Sequence, residues 1–189
     1  MTNAAPPTAG TVRERAWDAL ARAHAAVYPL PPHGHHPNFR GARAACQRLL
    51  SHPDFTRGPL LIGAERTLMP ARKLALAAGL SIIVPDVRGR GYYRVTDEAG
   101  ADLRRLPALG ERTDDLGSVT AVILASAVVA RDGARLSKGF GWGAHGTPLN
   151  VPHGTVAHPL MLLGALPCVA DSFVHVIATP QELLAPRER

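Results

Sequence analysis

The stretch Gly133-Ala134-Arg135-Leu136-Ser137-Lys138-Gly139-Phe140-Gly141-Trp142-Gly143 holds the residue types best suited to chemistry. Gly139, Gly141 and Gly143 remove side chains where a backbone could come close to a ligand. Arg135 and Lys138 set two cations beside those amides. A buried strand followed by a cationic glycine loop is one way to hold a phosphate chain. No Gly-Lys-Ser/Thr closes the loop onto a helix, so it is not a Walker loop. A flexible surface loop is the competing reading, and spacing alone does not separate the two.

Other residues could join such a site. Tyr92, Tyr93 and Trp142 offer aromatic faces for stacking, with core or rim packing as the competing use. Arg13 and Arg15 could approach a nucleotide or simply form a solvated helix face. Asp171 and Asp132 could supply a carboxylate, although Asp171 also suits a turn. His33, His35 and His36, with His145, His153 and His158, invite a metal reading. Proline and glycine surround the first cluster, which favours a polar loop. His158 has the better case, because it ends an expected strand, where ligands of open α/β sheets gather. Cys46 and Cys168 are too far apart in sequence and context to indicate a disulfide framework or a zinc site.

The chain's balance of residues narrows the classes. A formal net charge of +6 suits a phosphorylated or carboxylated ligand, and weak nonspecific nucleic-acid binding as well. The cations are scattered with no block of like charge, so no specific nucleic-acid partner is expected. No apolar run reaches the roughly 18 residues of a membrane helix. Residues 1–10 lack the basic-then-apolar order of a secretion signal and read as a disordered tail, with a single domain over 11–189 and a cytoplasmic location as the expectation.

The positioning elements follow from periodicity. Thr11-Val12-Arg13-Glu14 fits a capping box that starts a helix running to about Val27, with Trp17, Leu20 and His24 turned inward. A second helix is expected from near Asn38, with Ala42, Ala45, Cys46 and Leu49 inside. Strand at 60–63, helix at 69–78 and strand at 80–84 make a βαβ unit. Residues 88–94 read as a loop or edge strand and 96–116 as a surface excursion. The apolar run 119–130 reads as one strand buried on both faces. Residues 142–152 are too rich in glycine and proline for a regular helix. Strands at 154–158 and 173–178 and a short helix capped by Thr179 close the chain. This alternation predicts an α/β domain, a three-layer sandwich with a mainly parallel sheet.

Several segments, in order, carry a family likeness: the basic helix 13–20 with its tryptophan, His36-Pro37-Asn38-Phe39-Arg40-Gly41-Ala42, Arg72-Lys73-Leu74-Ala75-Leu76, Ile83-Val84-Pro85, the glycine loop, His158, Asp171 and Val176-Ile177-Ala178-Thr179-Pro180. Together they resemble the 5-formyltetrahydrofolate cyclo-ligase (methenyltetrahydrofolate synthetase) family, most closely its divergent cyclo-ligase-like branch. The resemblance implies a NagB/RpiA/CoA-transferase-like fold. It also implies phosphorylation of the formyl oxygen of 5-formyltetrahydrofolate by ATP with Mg2+. Attack by N10 and loss of phosphate then give 5,10-methenyltetrahydrofolate. By the same resemblance Arg135 and Lys138 are catalytic. Arg13, Arg15, Gly139, Gly141 and Trp142 accompany them at the nucleotide, Tyr92, Tyr93 and His158 face the folate, and Asp171 stands in as magnesium ligand. The partner is a small-molecule folate or phosphorylated metabolite, and the protein a monomer or weak homodimer.

The loop departs from the family pattern twice. Trp142 replaces a tyrosine and Gly143-Ala144-His145-Gly146 lacks the aspartate that should follow, while Ser137 replaces a loop glycine. The alternative is therefore a non-catalytic or repurposed relative that binds a nucleotide or phosphorylated metabolite, in a branch linked with thiamine metabolism.

Overall fold

In the computed structural model, which describes residues 5–186, eight strands form one central sheet. From edge to edge they are Leu183–Leu184, Val176–Ala178, His153–Val156, Ala121–Ala125, Leu60–Ile62, Ile82–Pro85, Tyr92–Val95 and Glu111–Thr113. The five from Val176–Ala178 to Ile82–Pro85 are parallel, and the flanking strands pair antiparallel. The expected fold class holds: α/β with a large, mainly parallel sheet.

Alternation along the strands of the central sheet separates two cores, one on each face. Leu60 and Ile62, Ile82 and Val84, and Ala121, Ile123 and Ala125 join the larger core, which includes helices α2 (Ala42–Leu50) and α3 (Met69–Ala77). Leu61, Ile83, Val122 and Leu124 face the other way, where Trp142, Leu149 and Val151 pack over them. The covering layer on that side is thus partly the irregular segment 142–152, anticipated as glycine- and proline-rich.

Helix α1 (Ala9–Arg22) begins earlier than the capping box predicts. Thr8 is the N-cap, its Oγ1 accepting from Thr11 N at 3.2 Å, so residues 9 and 10 are helical rather than part of a tail. The second helix starts at Ala42, not near Asn38, because Asn38–Phe39 pairs with Ala26–Val27 in a two-stranded ladder.

The run 119–130 is two strands, and this is the main correction. Ala121–Ala125 stays in the central sheet, whereas Val128–Ala130 belongs to a second, four-stranded sheet with Leu162–Leu163, Ala134–Leu136 and Ser172–Phe173. The break falls at Ser126, whose hydroxyl lies 2.6 Å from Thr155 Oγ1, and at Ala127, whose amide donates to Leu136 O. Likewise, 173–178 divides between the two sheets, and the expected terminal helix at Thr179 is a turn. Thr179 Oγ1 accepts from the amides of Gln181 and Glu182, and the chain returns as the edge strand Leu183–Leu184. The excursion 96–116 includes a short helix, α4 (Leu106–Leu109), and the edge strand Glu111–Thr113, and it buries Ala101 and Leu106.

Candidate functional site

The carboxyl ends of the parallel strands converge on one edge of the sheet, and the glycine loop arrives there from the second sheet. Of the eleven-residue stretch, Ala134–Leu136 is strand, so the loop proper starts at Ser137. Gly139, Gly141, Gly143 and Gly146 have φ of 105°, 87°, 69° and 81°, a left-handed chain that other residues adopt only with strain.

The loop's first amides are fully committed. Ser137 N and Oγ donate to Asp171 Oδ2 at 2.9 and 3.0 Å, and Gly139 N donates to Ser137 Oγ at 2.9 Å. Lys138 N donates to His36 Nε2 at 3.2 Å. Arg13 completes the clamp from helix α1, with Nε on Ser137 O at 2.6 Å and Nη2 on Asp171 Oδ2 at 2.8 Å. The next four amides, of Phe140, Gly141, Trp142 and Gly143, donate to no acceptor among the described residues.

A cleft of about 410 Å³ opens beside them, lined by Glu65, Asp86, Val87, Lys138, Gly141 and Trp142 among others. Lys138 lies along its wall with Nζ 4.4 Å from the centre of the Phe140 ring. Trp142 is fixed by a hydrogen bond from Nε1 to Tyr92 Oη at 3.2 Å and an edge-on contact with that ring.

The candidates thus separate. Lys138, Gly141 and Trp142 meet at the cleft, with Tyr92 supporting Trp142. Arg135 does not present its charge there. It is 1% exposed, and its guanidinium donates to Ala125 O, Ser126 Oγ, Gly143 O and Ser172 Oγ. Burial lowers its pKa to about 10, still far above neutrality. Arg13 holds the loop from behind, and Gly139 lies against its guanidinium. Arg15 is exposed on another side of the helix, since two residues apart means about 200° around the axis. Tyr93 points to the opposite face from Tyr92, as alternation requires, and holds Arg112 instead. His158 caps the turn at Pro159–Met161 and packs edge-on against Phe39.

Asp171 does not fit a metal ligand. Its Oδ2 already takes three donors from Arg13 and Ser137, whose hydrogen bonds outweigh burial and hold the carboxyl below its usual pKa. Asp132 accepts from Ala134 N in the turn between two strands. Among the described residues no group of three His, Cys, Asp or Glu side chains could hold a metal ion. His33 pairs with Asp18 at 2.9 Å while His36 turns inward, so the histidine cluster disperses.

Sequence reasoning missed two groups, Glu65 and Asp86, and read a third, His36, only as part of a histidine-rich loop. Glu65 and Asp86 stand just beyond the carboxyl ends of Leu60–Ile62 and Ile82–Pro85, the position where ligands of open α/β sheets gather, and that rule could have found them. His36 carried no signal beyond its neighbours. Its ring lies between the loop and Glu65: Nε2 accepts from Lys138 N, so the proton sits on Nδ1, which stands 3.4 Å from Glu65 Oε1 without a hydrogen bond. Burial, followed by Arg135 and Lys138, lowers the His36 pKa well below 6.5, and burial raises that of Glu65. Glu65 Oε2 is buried without a hydrogen-bond partner. An uncharged imidazole facing an acid that resists ionisation is therefore built into the wall.

No protein-family profile matches the chain. In sequence it is 28% identical over 145 residues to a methenyltetrahydrofolate synthase domain-containing protein of Danio rerio, and 28% identical over 145 residues to the one of Homo sapiens. Each alignment takes in 69% of this chain and 38% of the relative, so the chain spans about two fifths of the length of the curated relatives it matches. In fold it is similar to the 5,10-methenyltetrahydrofolate synthetase of Aquifex aeolicus, with a TM-score of 0.67 and 20% identity, covering 96% of this chain and 94% of that one.

Proposed function

We propose, taking as premise the place in the divergent branch of the cyclo-ligase family that these relatives and this fold support, that the chain is an ATP-dependent 5-formyltetrahydrofolate cyclo-ligase. The observation that carries this reading is the run of four uncommitted loop amides, residues 140–143, beside Lys138 at the carboxyl edge of the sheet. Backbone donors and one flexible cation around a small cleft suit a transferring phosphoryl group, whose charge spreads over its oxygens. Lys138 supplies the charge and Trp142 an aromatic wall for adenine or pterin. Glu65, whose ionisation burial disfavours, sets a carboxyl group on the cleft wall. Arg13, Asp171 and Arg135 act as positioning residues. Among the described residues no group of three His, Cys, Asp or Glu side chains could hold magnesium; Glu65 and Asp86 are the carboxylates on the cleft, and no step is routed through the ion.

A non-catalytic nucleotide or phosphorylated-metabolite binder is the second reading, and one feature favours it. Residues 141–146 form successive turns, Ala144 N to Gly141 O and Gly146 N to Gly143 O, so no helix N-terminus backs the loop.

The test is to mix the protein with Mg-ATP and 5-formyltetrahydrofolate and follow methenyl product by near-ultraviolet absorbance, while measuring ATP binding by calorimetry. Turnover that falls about a hundredfold in Lys138→Ala supports the cyclo-ligase. ATP binding without product supports the binder. Folded protein that does neither ends both readings.

A further inference from the structure

The glycine loop turns its amides two ways. Those of Ser137, Lys138 and Gly139 bond to acceptors within the protein, while those of residues 140–143 meet none among the described residues. The reversal falls at Gly139, with its φ of 105°. Just before it, the peptide unit joining Ser137 to Lys138 is held at both ends. Ser137 O accepts from Arg13 Nε at 2.6 Å, and Lys138 N donates to His36 Nε2 at 3.2 Å. A planar unit gripped at oxygen and nitrogen has its orientation fixed, and with it the direction in which the chain leaves.

His36 reaches this peptide from 102 positions away. Its side chain is 1% exposed, and Nδ1 has no hydrogen-bond partner among the described residues. A buried donor left unpaired costs stability that an apolar side chain of similar size would not lose. Among the described residues the ring makes one hydrogen bond, through Nε2, and an apolar side chain could not supply it. The groups facing the ring are Glu65 beyond Leu60–Ile62, Arg135 on the second sheet, Lys138 on the loop, Arg13 on α1 and the adjacent His35. Burial and the cations among them disfavour the imidazolium, which leaves the Nε2 lone pair free to accept.

We propose that His36 is a positioning residue for anion binding: by holding Lys138 N, it keeps the Lys138 side chain and the four amides 140–143 turned toward one cleft. The proposal rests on the reading that these amides take a phosphate. Arg13 cannot substitute for His36, because a donor to Ser137 O leaves the amide end of the same peptide free to tilt. What the position requires is a neutral acceptor at the reach of Nε2. Glutamine can bring its side-chain carbonyl oxygen there, whereas leucine fills the space without an acceptor.

The experiment titrates inorganic pyrophosphate into the 15N-labelled protein at neutral pH and follows the amides of residues 140–143 by NMR, together with the His36 ring nitrogens. The ring spectrum should show the proton on Nδ1 and none on Nε2. His36→Leu should weaken pyrophosphate binding by about tenfold or more, and His36→Gln should restore it to within about threefold of the wild type. Amide spectra of the central strands show whether each variant folds. A proton on Nε2 in the wild type overturns the proposal whatever the variants do. So does equal affinity in the folded leucine variant, or a glutamine variant as weak as leucine. If pyrophosphate shifts no amide of the wild type, the phosphate reading fails. The hold on the loop is then read from hydrogen exchange at Lys138 N, which should accelerate about tenfold in His36→Leu and not in His36→Gln. Unchanged exchange there would show that His36 positions nothing, so the two readings fail separately.

Discussion

Arg135 and His36 show how a side chain can matter to a site without facing the ligand. Arg135 ties strand Ala121–Ala125, through Ala125 O and Ser126, to the glycine loop at Gly143 and to Ser172. Truncation takes the guanidinium donors from buried Ala125 O and from the Ser126 and Ser172 hydroxyls, and an unsatisfied buried acceptor costs about 1–3 kcal/mol. Arg135→Ala is therefore expected to lose roughly 3 kcal/mol or more of unfolding free energy in urea. A midpoint close to that of the wild type would show that the guanidinium holds nothing together. His36 predicts a pH dependence with a definite sign. Its pKa is lowered in the folded chain, so below about 6.5 the unfolded chain takes up a proton the folded one refuses, and stability falls as pH falls. Glu65 acts in the other direction: above about 4.5 the unfolded chain gives up a proton the folded one keeps, so stability falls as pH rises. One such group contributes at most about 1.4 kcal/mol per pH unit. Melting temperature against pH should flatten below pH 6.5 in His36→Asn, while Glu65→Gln should be relatively more stable toward higher pH. Parallel profiles for wild type and His36→Asn would refute the buried neutral imidazole.

At the scale of elements, the loop is shaped by what it rests on. A Cβ at Gly143 would come 2.8 Å from Leu124 Cδ2 while the chain holds a φ of 69°. Gly143→Ala thus combines overpacking with left-handed strain, and a loss of about 1–3 kcal/mol is expected from chemical unfolding. Asp171→Asn tests the clamp differently, since it removes the charge that Arg13 and two Ser137 donors share. Amide exchange at Ser137 and Gly139 should accelerate while the central strands stay protected, and unchanged exchange would mean the clamp is redundant. The same elements show what a sequence can and cannot reveal. The strands at 60–62, 82–85 and 121–125 were legible because each lies in an apolar run that must be buried on both faces. The division of 119–130 was not, since a single serine inside an apolar run gives no periodic signal, and its partner Thr155 lies 29 residues away. The glycine loop was legible from composition and Arg135's charge from its type, but the side on which that charge faces depends on pairing between Ala134–Leu136 and Val128–Ala130. The partners of Asp171 were not legible either, because its three donors come from a helix residue 158 positions earlier and from the loop itself.

The whole molecule has two tryptophans in two different environments, and they test whether it unfolds as one body. Trp17 lies buried in α1, with Nε1 donating to His35 O at 3.1 Å. Trp142 packs against the core on the far face of the central sheet, with Leu61, Ile83, Val122 and Leu124. Three links join these regions. Arg13 on α1 clamps Ser137 and Asp171, His36 accepts from Lys138 N, and Val12 and Ala16 pack on Val128 and Leu136 of the second sheet. If those links are as strong as their burial implies, α1 cannot detach while the central sheet persists. Trp17→Phe and Trp142→Phe each leave one fluorescent probe, and both should report the same urea midpoint, coincident with loss of far-ultraviolet circular dichroism. An earlier midpoint for Trp17 would mean that α1 and the clamp release the glycine loop before the sheet unfolds. The loop amides 140–143 would then be held in place only part of the time, and the phosphate site would depend on its ligand to close it.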